Sequence, residues 1–252
     1  MEQTSSGGER IAFFGGSFDP PHQGHLAVAR SARAALGLDC VLFAPVGVQP
    51  LKPQGSTASF DDRLAMTRLA IAGEQGFAVS LIDGPKPEAA PNYTLDTLLR
   101  LRAELPPEGR LFCLMGADSF LALRRWHRAA EIPFVAPLVV ASRPGQPLDD
   151  LWAALPEGLT MEPAAGFEMT NAGLPDSVVE VRTWLLRNLA GETCPFYLLP
   201  GLHVEISASQ IRDGIRERIC EKASAKSENP VSKRQLLPIA VLNYIRLHGL
   251  YR

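Results

Sequence analysis

Short apolar runs alternate with helical patterns along most of this 252-residue chain, and this alternation most limits the folds open to it. It is typical of βαβ units, in which helices cover both faces of a parallel sheet. Ligands of such α/β folds bind beyond the carboxyl ends of the strands, where the strand order reverses. The predicted strands are Arg10–Phe14, Cys40–Pro45, Phe77–Ile82, Arg110–Met115, Pro137–Ala141 and Phe196–Leu199; the predicted helices are Leu26–Leu36, Phe60–Ala72, Thr94–Leu105, Asp118–Arg128, Val178–Leu189 and Pro238–Tyr251.

The pattern predicts one domain over residues 10–252, preceded by a flexible polar tail over residues 1–9. Gly145–Gly173 contains several Pro and Gly residues without a clear period, so we expect an irregular insertion there. Lys222–Lys233 is polar and charged, which predicts a mobile loop. No apolar stretch reaches the roughly 18 residues needed to span a bilayer.

The composition favours a small-molecule ligand in a reducing compartment. The 25 Lys and Arg residues nearly balance the 27 Asp and Glu residues. No overall field therefore recruits nucleic acid or an anionic membrane, and an anionic ligand needs a local site. The four cysteines form no C-x-x-C pair, so we expect free thiols in the cytoplasm. The sequence allows a homo-oligomer but indicates no oligomeric state.

The stretch GGSFDPPHQGH, from Gly15 to His25, follows the first predicted strand and opens the first predicted helix. A glycine turn there places backbone N–H groups at a helix N-terminus, where a phosphate is favoured. His22 and His25 share a face of that helix, and Gly24 between them leaves room for a ligand. The stretch matches neither G-x-G-x-x-G nor the P-loop pattern.

A second phosphate pattern, ISASQIR, lies far downstream at Ile206–Arg212. Ser207 or Ser209 is a good N-cap, and their hydroxyls can hold phosphate oxygens together with the following N–H groups. Arg212, one turn later, can grip an anion with two donors. Either pattern alone is common at helix starts, but the pair indicates a nucleotide site.

Together these motifs resemble a known superfamily. GSFDPPHQGH resembles the G-x-F-x-P-x-H-x-G-H signature of nucleotidyltransferases, and ISASQIR resembles their I-S-S-T-x-I-R signature, with Ala208 for Ser and Ser209 for Thr. Leu51 stands where many relatives have His. Four further stretches resemble bacterial nicotinate-mononucleotide adenylyltransferases: Asn92–Leu98, Gly116–Phe120 with Trp126 and Glu131–Ile132, Pro50–Pro53 with Arg63–Met66, and Leu237–Tyr251.

The resemblance implies a Rossmann-like sheet of the nucleotidyltransferase type with a small C-terminal helical part. It also implies transfer of AMP from ATP to nicotinate mononucleotide, yielding nicotinate adenine dinucleotide and pyrophosphate, with Mg²⁺ accompanying ATP and pyrophosphate. The implied catalytic residues are His22, His25, Lys52 and Arg212; the ATP-binding residues are Gly15, Gly16, Ser17, Phe18, His22, His25, Gly116, Asp118, Ile206, Ser207, Ser209 and Arg212; the residues that bind the mononucleotide are Lys52, Asn92, Tyr93, Thr94, Asp118 and Trp126.

Three alternatives stay open at this point. Another adenylyl- or cytidylyltransferase, for example one acting on phosphopantetheine, would share both motifs, but Tyr93, Thr94 and Trp126 count against it. A nucleotide-binding regulatory module without catalysis is disfavoured by the intact His22, His25 and Arg212. A redox enzyme that uses a dinucleotide is disfavoured because G-x-G-x-x-G is missing.

Overall fold

The computed structural model describes residues 8–52, 54–142, 148–164, 181–200, 207–221 and 236–252. In that part of the chain eight strands form a single sheet in the order β3-β2-β1-β4-β5-β8-β7-β6. The strands are β1 Arg10–Gly16, β2 Cys40–Pro45, β3 Phe77–Val79, β4 Arg110–Gly116, β5 Leu138–Ala141, β6 Thr160–Pro163, β7 Arg182–Arg187 and β8 Thr193–Leu199.

The sheet is mostly parallel, which confirms the predicted fold class. Parallel pairing runs from β3 through β2, β1, β4 and β5 to β8. The last two strands, β7 and β6, pair in antiparallel fashion and close one side of the sheet. An antiparallel edge on an otherwise parallel sheet is common in α/β proteins.

The predicted helix Val178–Leu189 is wrong over its described part, because Arg182–Arg187 forms strand β7. A tight turn explains the difference: Gly191, at a φ of 83°, donates its N–H to the Asn188 carbonyl at 3.0 Å. The turn between Asn188 and Gly191 reverses the chain, so that β7 pairs with β8. This hairpin signal outweighs the leucine spacing, which predicted a helix. Residues 178–180 lie outside the described residues.

The prediction that Gly145–Gly173 is irregular is also wrong in part. The segment contains a short helix, Leu148–Ala153, and the edge strand β6, Thr160–Pro163. Each element is too short to show a period in the sequence, and the strand exists only because it pairs with β7. Residues 145–147 and 165–173 of this region, like the predicted loop Lys222–Lys233, lie outside the described residues.

Helices cover both faces of the sheet, as predicted. One apolar cluster packs the first, second, seventh and eighth helices against one face, and a second cluster packs the third to sixth helices against the other. β1 serves both clusters because its side chains alternate, with Phe14 in the first and Phe13 in the second. The helices are α1 Gln23–Leu36, α2 Phe60–Ile71, α3 Thr94–Glu104, α4 Ala117–Leu121, α5 Ile132–Val135, α6 Leu148–Ala153, α7 Ala208–Glu221 and α8 Ile239–His248.

The strand order reverses between β1 and β4, so a crevice forms beyond their carboxyl ends. β1 ends at Gly16, directly before the histidine motif, and β4 ends at Gly116. Within the described ranges, no helix has both the length and the apolar character of a membrane span.

Candidate active site

A cavity of about 660 Å³ occupies the crevice beyond β1 and β4. It brings together every predicted site residue except Ile206, which lies outside the described residues. What each residue does there stays a prediction. The predicted residues that line the cavity are Gly15, Gly16, Ser17, Phe18, His22, His25, Lys52, Asn92, Tyr93, Thr94, Gly116, Asp118, Trp126, Ser207, Ser209 and Arg212.

The turn after β1 is held in an uncommon backbone conformation. Phe18 has a φ of 48°, in the left-handed region that bulky residues rarely adopt. Its ring is fully buried and packs edge-on against Phe14 at 5.6 Å and against His25 at 5.0 Å. A Cβ added at Gly15 would approach the Phe13 ring to 2.7 Å, so glycine is required there by packing as well as by ligand access. Together these contacts hold the turn in its strained conformation.

The two histidines of the motif cap α1 reciprocally. The Gly24 N–H donates to Nδ1 of His22, and the His22 N–H donates to Nδ1 of His25, each at 3.1 Å. An Nδ1 atom that accepts a hydrogen bond carries no proton in a neutral ring. In its neutral form each ring therefore carries its proton on Nε2 and can donate it to an anion in the cavity.

His25 stays neutral near pH 7. Burial, and then the charge of His22 beside it, holds the pKa of His25 well below its usual value. The two rings are 3.8 Å apart between centroids, which explains the coupling. His25 is therefore suited to donate a hydrogen bond and not to act as a charged acid.

Lys52 reaches the motif from the loop after β2. Its ammonium donates to the Ser17 hydroxyl at 3.0 Å, and that hydroxyl donates to the Gln49 side chain at 2.8 Å. Partial burial, and then the charge of Arg212, lowers the pKa of Lys52, while Asp19 raises it. The ammonium thus lies among other cations, where a polyanion would be stabilised.

Beneath the motif lies a buried arginine that the sequence analysis did not assign to the site. Arg63 of α2 is only 2% exposed and donates to the carbonyl oxygens of Ser17 at 2.7 Å and Val46 at 2.9 Å. Its Nε is buried without a partner among the described residues. The guanidinium fixes the turns after β1 and β2 and adds positive charge under the cavity floor.

The second motif forms the start of α7. Ser207 and Gln210 make a capping box: the Gln210 N–H donates to the Ser207 hydroxyl at 3.2 Å, and the Ser207 N–H donates to the Gln210 side chain at 2.9 Å. Arg212 donates to the Asp19 carbonyl at 2.7 Å and to the Ser209 hydroxyl at 3.1 Å. The two motifs, distant in sequence, therefore touch directly.

Positive helix ends converge on this cavity. The residues that precede α1, α3 and α7 are His22, Tyr93 and Ser207, and all three line it. The first turns of α1 and α7 contain no acidic side chain. A helix N-terminus carries about half a positive charge, so this arrangement favours anions. We call the part formed by Gly16–His25, Lys52 and Ser207–Arg212 the phosphate end.

A second part of the cavity, which we call the aromatic end, consists of Asn92–Thr94 and Trp126–His127. The Tyr93 and His127 rings lie 4.5 Å apart between centroids. Trp126 follows a short 3₁₀ turn and does not lie on the predicted continuous helix Asp118–Arg128, because α4 ends at Leu121. Half-buried aromatic faces of this kind can stack on a planar heterocycle.

Asn92 shapes the aromatic end through the backbone. Its side chain accepts from the Val48 N–H at 2.9 Å and donates to the Gly84 carbonyl at 3.0 Å. The amide is thus already occupied in joining two loops. Between the two ends, Asp118 is an exposed residue in the first turn of α4, and a Cβ added at Gly116 would meet no atom within 4 Å.

Sequence reasoning missed Asp83, Arg125 and His127, which also line the cavity. Asp83 is buried and accepts from the Thr97 hydroxyl at 2.7 Å, and burial raises its pKa. Arg125 and His127 flank Trp126 in the sequence, so their proximity to the predicted stacking residue was the available signal. No local pattern pointed to Asp83.

No group of three or more His, Cys, Asp or Glu side chains that could hold a metal ion occurs in the described ranges.

Comparison with known proteins agrees with this geometry. The cytidylyltransferase-like family model matches residues 13–214. A "Probable nicotinate-nucleotide adenylyltransferase" of Trichlorobacter lovleyi is 34% identical over 243 residues, covering 96% of this chain and 99% of that protein. A protein of the same name from Dechloromonas aromatica is 37% identical over 248 residues, covering 97% and 98%.

Among solved structures, the nicotinic acid mononucleotide adenylyltransferase of Plasmodium falciparum complexed with NaAD has a TM-score of 0.60 at 14% identity. The match covers 96% of this chain and 97% of that one, and at this identity it bears on the fold alone. The family match and the full-length relatives go further, and they carry the assignment. This chain belongs to the cytidylyltransferase-like family and, within it, to the nicotinate-nucleotide adenylyltransferases.

Proposed function

We propose that this protein transfers AMP from ATP to nicotinate mononucleotide, forming nicotinate adenine dinucleotide and pyrophosphate in NAD biosynthesis. One observation carries the proposal: the same cavity is lined by a cationic, helix-capped phosphate end and by an aromatic end whose ring faces could stack on a pyridine ring. Full-length relatives bear the name of this activity.

The reaction needs alignment and charge neutralisation more than proton transfer. An oxygen of the mononucleotide phosphate attacks the α-phosphorus of ATP, and the bond from that phosphorus to the bridging oxygen breaks. Pyrophosphate leaves with the bonding electrons. The attacking phosphate is already anionic, so no general base is required, and catalysis comes from positioning and electrostatic stabilisation.

Different residues of the phosphate end bind different phosphate groups of the substrates. His22 and His25 donate from Nε2 to the phosphate under transfer, since both Nδ1 atoms accept from backbone N–H groups. Lys52 and Arg212 neutralise the triphosphate and the departing pyrophosphate, while Ser207, Ser209 and the α7 N-terminus receive its oxygens. Mg²⁺ enters as Mg-ATP, held mainly by phosphate oxygens and water.

Both substrates are small anions, and we propose a cytoplasmic site of action without nucleic acid or membrane partners. The near-balanced charge, 25 basic against 27 acidic residues, supports this. The free thiols of Cys40, Cys113 and Cys194 also support a cytoplasmic site of action.

A pyrophosphate-release assay with Mg-ATP and a panel of acceptors tests the function. The panel contains nicotinate mononucleotide, nicotinamide mononucleotide, phosphopantetheine and glycerol phosphate. We expect the highest kcat/KM with nicotinate mononucleotide and no release without an acceptor. Faster turnover of phosphopantetheine or glycerol phosphate would assign the chain to another nucleotidyltransferase, and no turnover with any acceptor would favour a regulatory module.

A further inference from the structure

The penultimate residue of the chain, Tyr251, reaches from the end of α8 to the floor of the active site. After α8 the chain reverses at Gly249, whose φ is 62°, and Leu250 donates its N–H to the Ile245 carbonyl at 3.0 Å. Tyr251 itself has a φ of 63°, which a bulky residue adopts only when its surroundings hold it there. Its ring is 5% exposed and belongs to the same apolar cluster as Phe18.

The Tyr251 hydroxyl holds a buried carboxylate of the histidine motif. It donates to Oδ1 of Asp19 at 2.8 Å. The same carboxylate accepts from the N–H groups of Thr57 at 2.6 Å and Ala58 at 3.1 Å. Burial, and then the charge of Asp19, raises the pKa of Tyr251 far above its usual value, so the hydroxyl stays a donor. Asp19 is 5% exposed, and these three donors cover it.

Asp19 joins the three segments that carry the phosphate end. It lies in the histidine motif, its carboxylate holds the chain between Lys52 and α2, and its carbonyl accepts from Arg212 at 2.7 Å. Lys52 is itself bonded to Ser17, so its loop is fastened to the motif at two points. The guanidinium of Arg212 also lies 3.9 Å from Oδ2 of Asp19, so a shift of the Asp19 carboxylate would affect both Lys52 and Arg212.

We propose that Tyr251 is a positioning residue for Mg-ATP: by holding the Asp19 carboxylate, it fixes Lys52 and Arg212 in the arrangement that receives the triphosphate. The inference rests on the proposed function and adds a role for the C-terminal residues. It has an electrostatic part as well, since a carboxylate near a triphosphate repels it unless hydrogen bonds spread and hold its charge.

The substitution Tyr251→Phe keeps the buried ring and removes only the hydroxyl. We expect the KM for Mg-ATP to rise roughly five- to twentyfold, part of the effect of a hydrogen bond to a charged group, with the KM for nicotinate mononucleotide within about twofold of wild type. The matched control is Tyr244→Phe. Tyr244, on α8 itself, donates to Asp62 of α2 at 3.0 Å and does not line the cavity.

If Tyr251 only held α8 in place, both variants would change the kinetics alike. Equal KM values for Mg-ATP in the two variants would overturn the proposal, and so would a Tyr251→Phe effect shared equally by both substrates. The double mutant with Asp19→Asn adds a further test. If Tyr251 acts through Asp19, removing the hydroxyl should add little to Asp19→Asn; full additivity would contradict the mechanism.

A binding measurement separates this inference from the proposed function. The probe is Mg²⁺ with an ATP analogue whose α,β-bridge is methylene, titrated calorimetrically into each variant without acceptor. A wild-type protein that binds the analogue but makes no dinucleotide from Mg-ATP and nicotinate mononucleotide would defeat the proposed function. Weaker binding by Tyr251→Phe than by Tyr244→Phe would still support the positioning role, and equal binding would defeat it.

Discussion

The two ends of the cavity are built differently. At the phosphate end nearly every polar side chain is hydrogen-bonded within the site. Lys52 donates to Ser17 and Arg212 to Asp19, while His25 accepts from the His22 N–H and His22 from the Gly24 N–H. At the aromatic end the half-exposed Tyr93 contacts its neighbour His127 through a ring face.

Because of this difference, we expect the phosphate end to determine the rate of transfer and the aromatic end to determine which acceptor is used. A network with fixed protonation states is preorganised for the charge that develops during phosphoryl transfer, and losing one donor lowers the rate. Stacking surfaces and a helix N-terminus choose a ligand without touching the reacting atoms. Substitutions at the phosphate end should therefore lower kcat or ATP binding, and those at the aromatic end should change which acceptor is used.

The largest effect is expected at His25. The variant His25→Ala loses a preorganised donor, which costs about 2.7–4 kcal/mol of transition-state stabilisation, a hundredfold or more in kcat. Steady-state kinetics measures the loss, and circular dichroism with thermal unfolding checks that the variant is folded. Near-normal kcat in a folded variant would remove the distinction between the two ends.

Acceptor choice should come next in size. Thr94 and the N-terminus of α3 offer a hydroxyl and N–H donors that favour a carboxylate over an amide. Charge-assisted bonds of about 1.5–3 kcal/mol predict a ten- to hundredfold higher kcat/KM for nicotinate than for nicotinamide mononucleotide.

The variant Thr94→Val should reduce this preference without lowering kcat for the better acceptor as His25→Ala does. Trp126→Phe is the control, because a stacking ring should affect both acceptors alike. Equal efficiencies for the two acceptors in the wild-type protein would refute the assignment of the aromatic end and leave the broader adenylyltransferase activity.

Lys52→Ala should raise the KM for ATP roughly tenfold, since one cation facing the triphosphate is lost. The KM for the mononucleotide should change less. Initial rates measured with each substrate varied in turn give both constants. An increase confined to the mononucleotide would place Lys52 on the other substrate and weaken the division between the two ends.

The smallest effect concerns pH and stability. The folded-state pKa of His25 is lowered from its usual value of about 6.5, so below pH 6.5 the unfolded chain binds this proton more readily than the folded one. The free energy of unfolding should therefore fall as the pH decreases below 6.5, by at most about 1.4 kcal/mol per pH unit from this group.

Urea unfolding at pH 5.5 and 7.5 measures this decrease in the free energy of unfolding, and His25→Gln should show a smaller decrease than wild type. An identical decrease would mean that His25 is not the titrating group.

Local patterns were sufficient for the parts of the molecule that local chemistry decides. The strand, turn and helix around His22 were predicted because glycines, apolar spacing and capping residues adjoin in the sequence. Strand β7 was missed because it depends on pairing with β6 and β8, and leucine spacing alone does not reveal a partner.

The same limit applies within the site. The resemblance named the residues that line the cavity, but not the contacts that hold them. Asp19 and Tyr251 are hydrogen-bonded although they stand near opposite ends of the chain, and Arg63 supports the motif from another helix. Such contacts arise from the packing of distant segments, which no short window of sequence contains.

Oxygen labelling tests the central claim most directly, namely that the mononucleotide phosphate supplies the oxygen that attacks the α-phosphorus. The enzyme is given Mg-ATP and nicotinate mononucleotide whose phosphate oxygens carry ¹⁸O, and both products are analysed by mass spectrometry. The account predicts that all of the label stays in the dinucleotide, including the oxygen that bridges its two phosphorus atoms, and that pyrophosphate is unlabelled. Label in pyrophosphate, or a dinucleotide without label in its bridging oxygen, would contradict attack by the mononucleotide phosphate on the α-phosphorus.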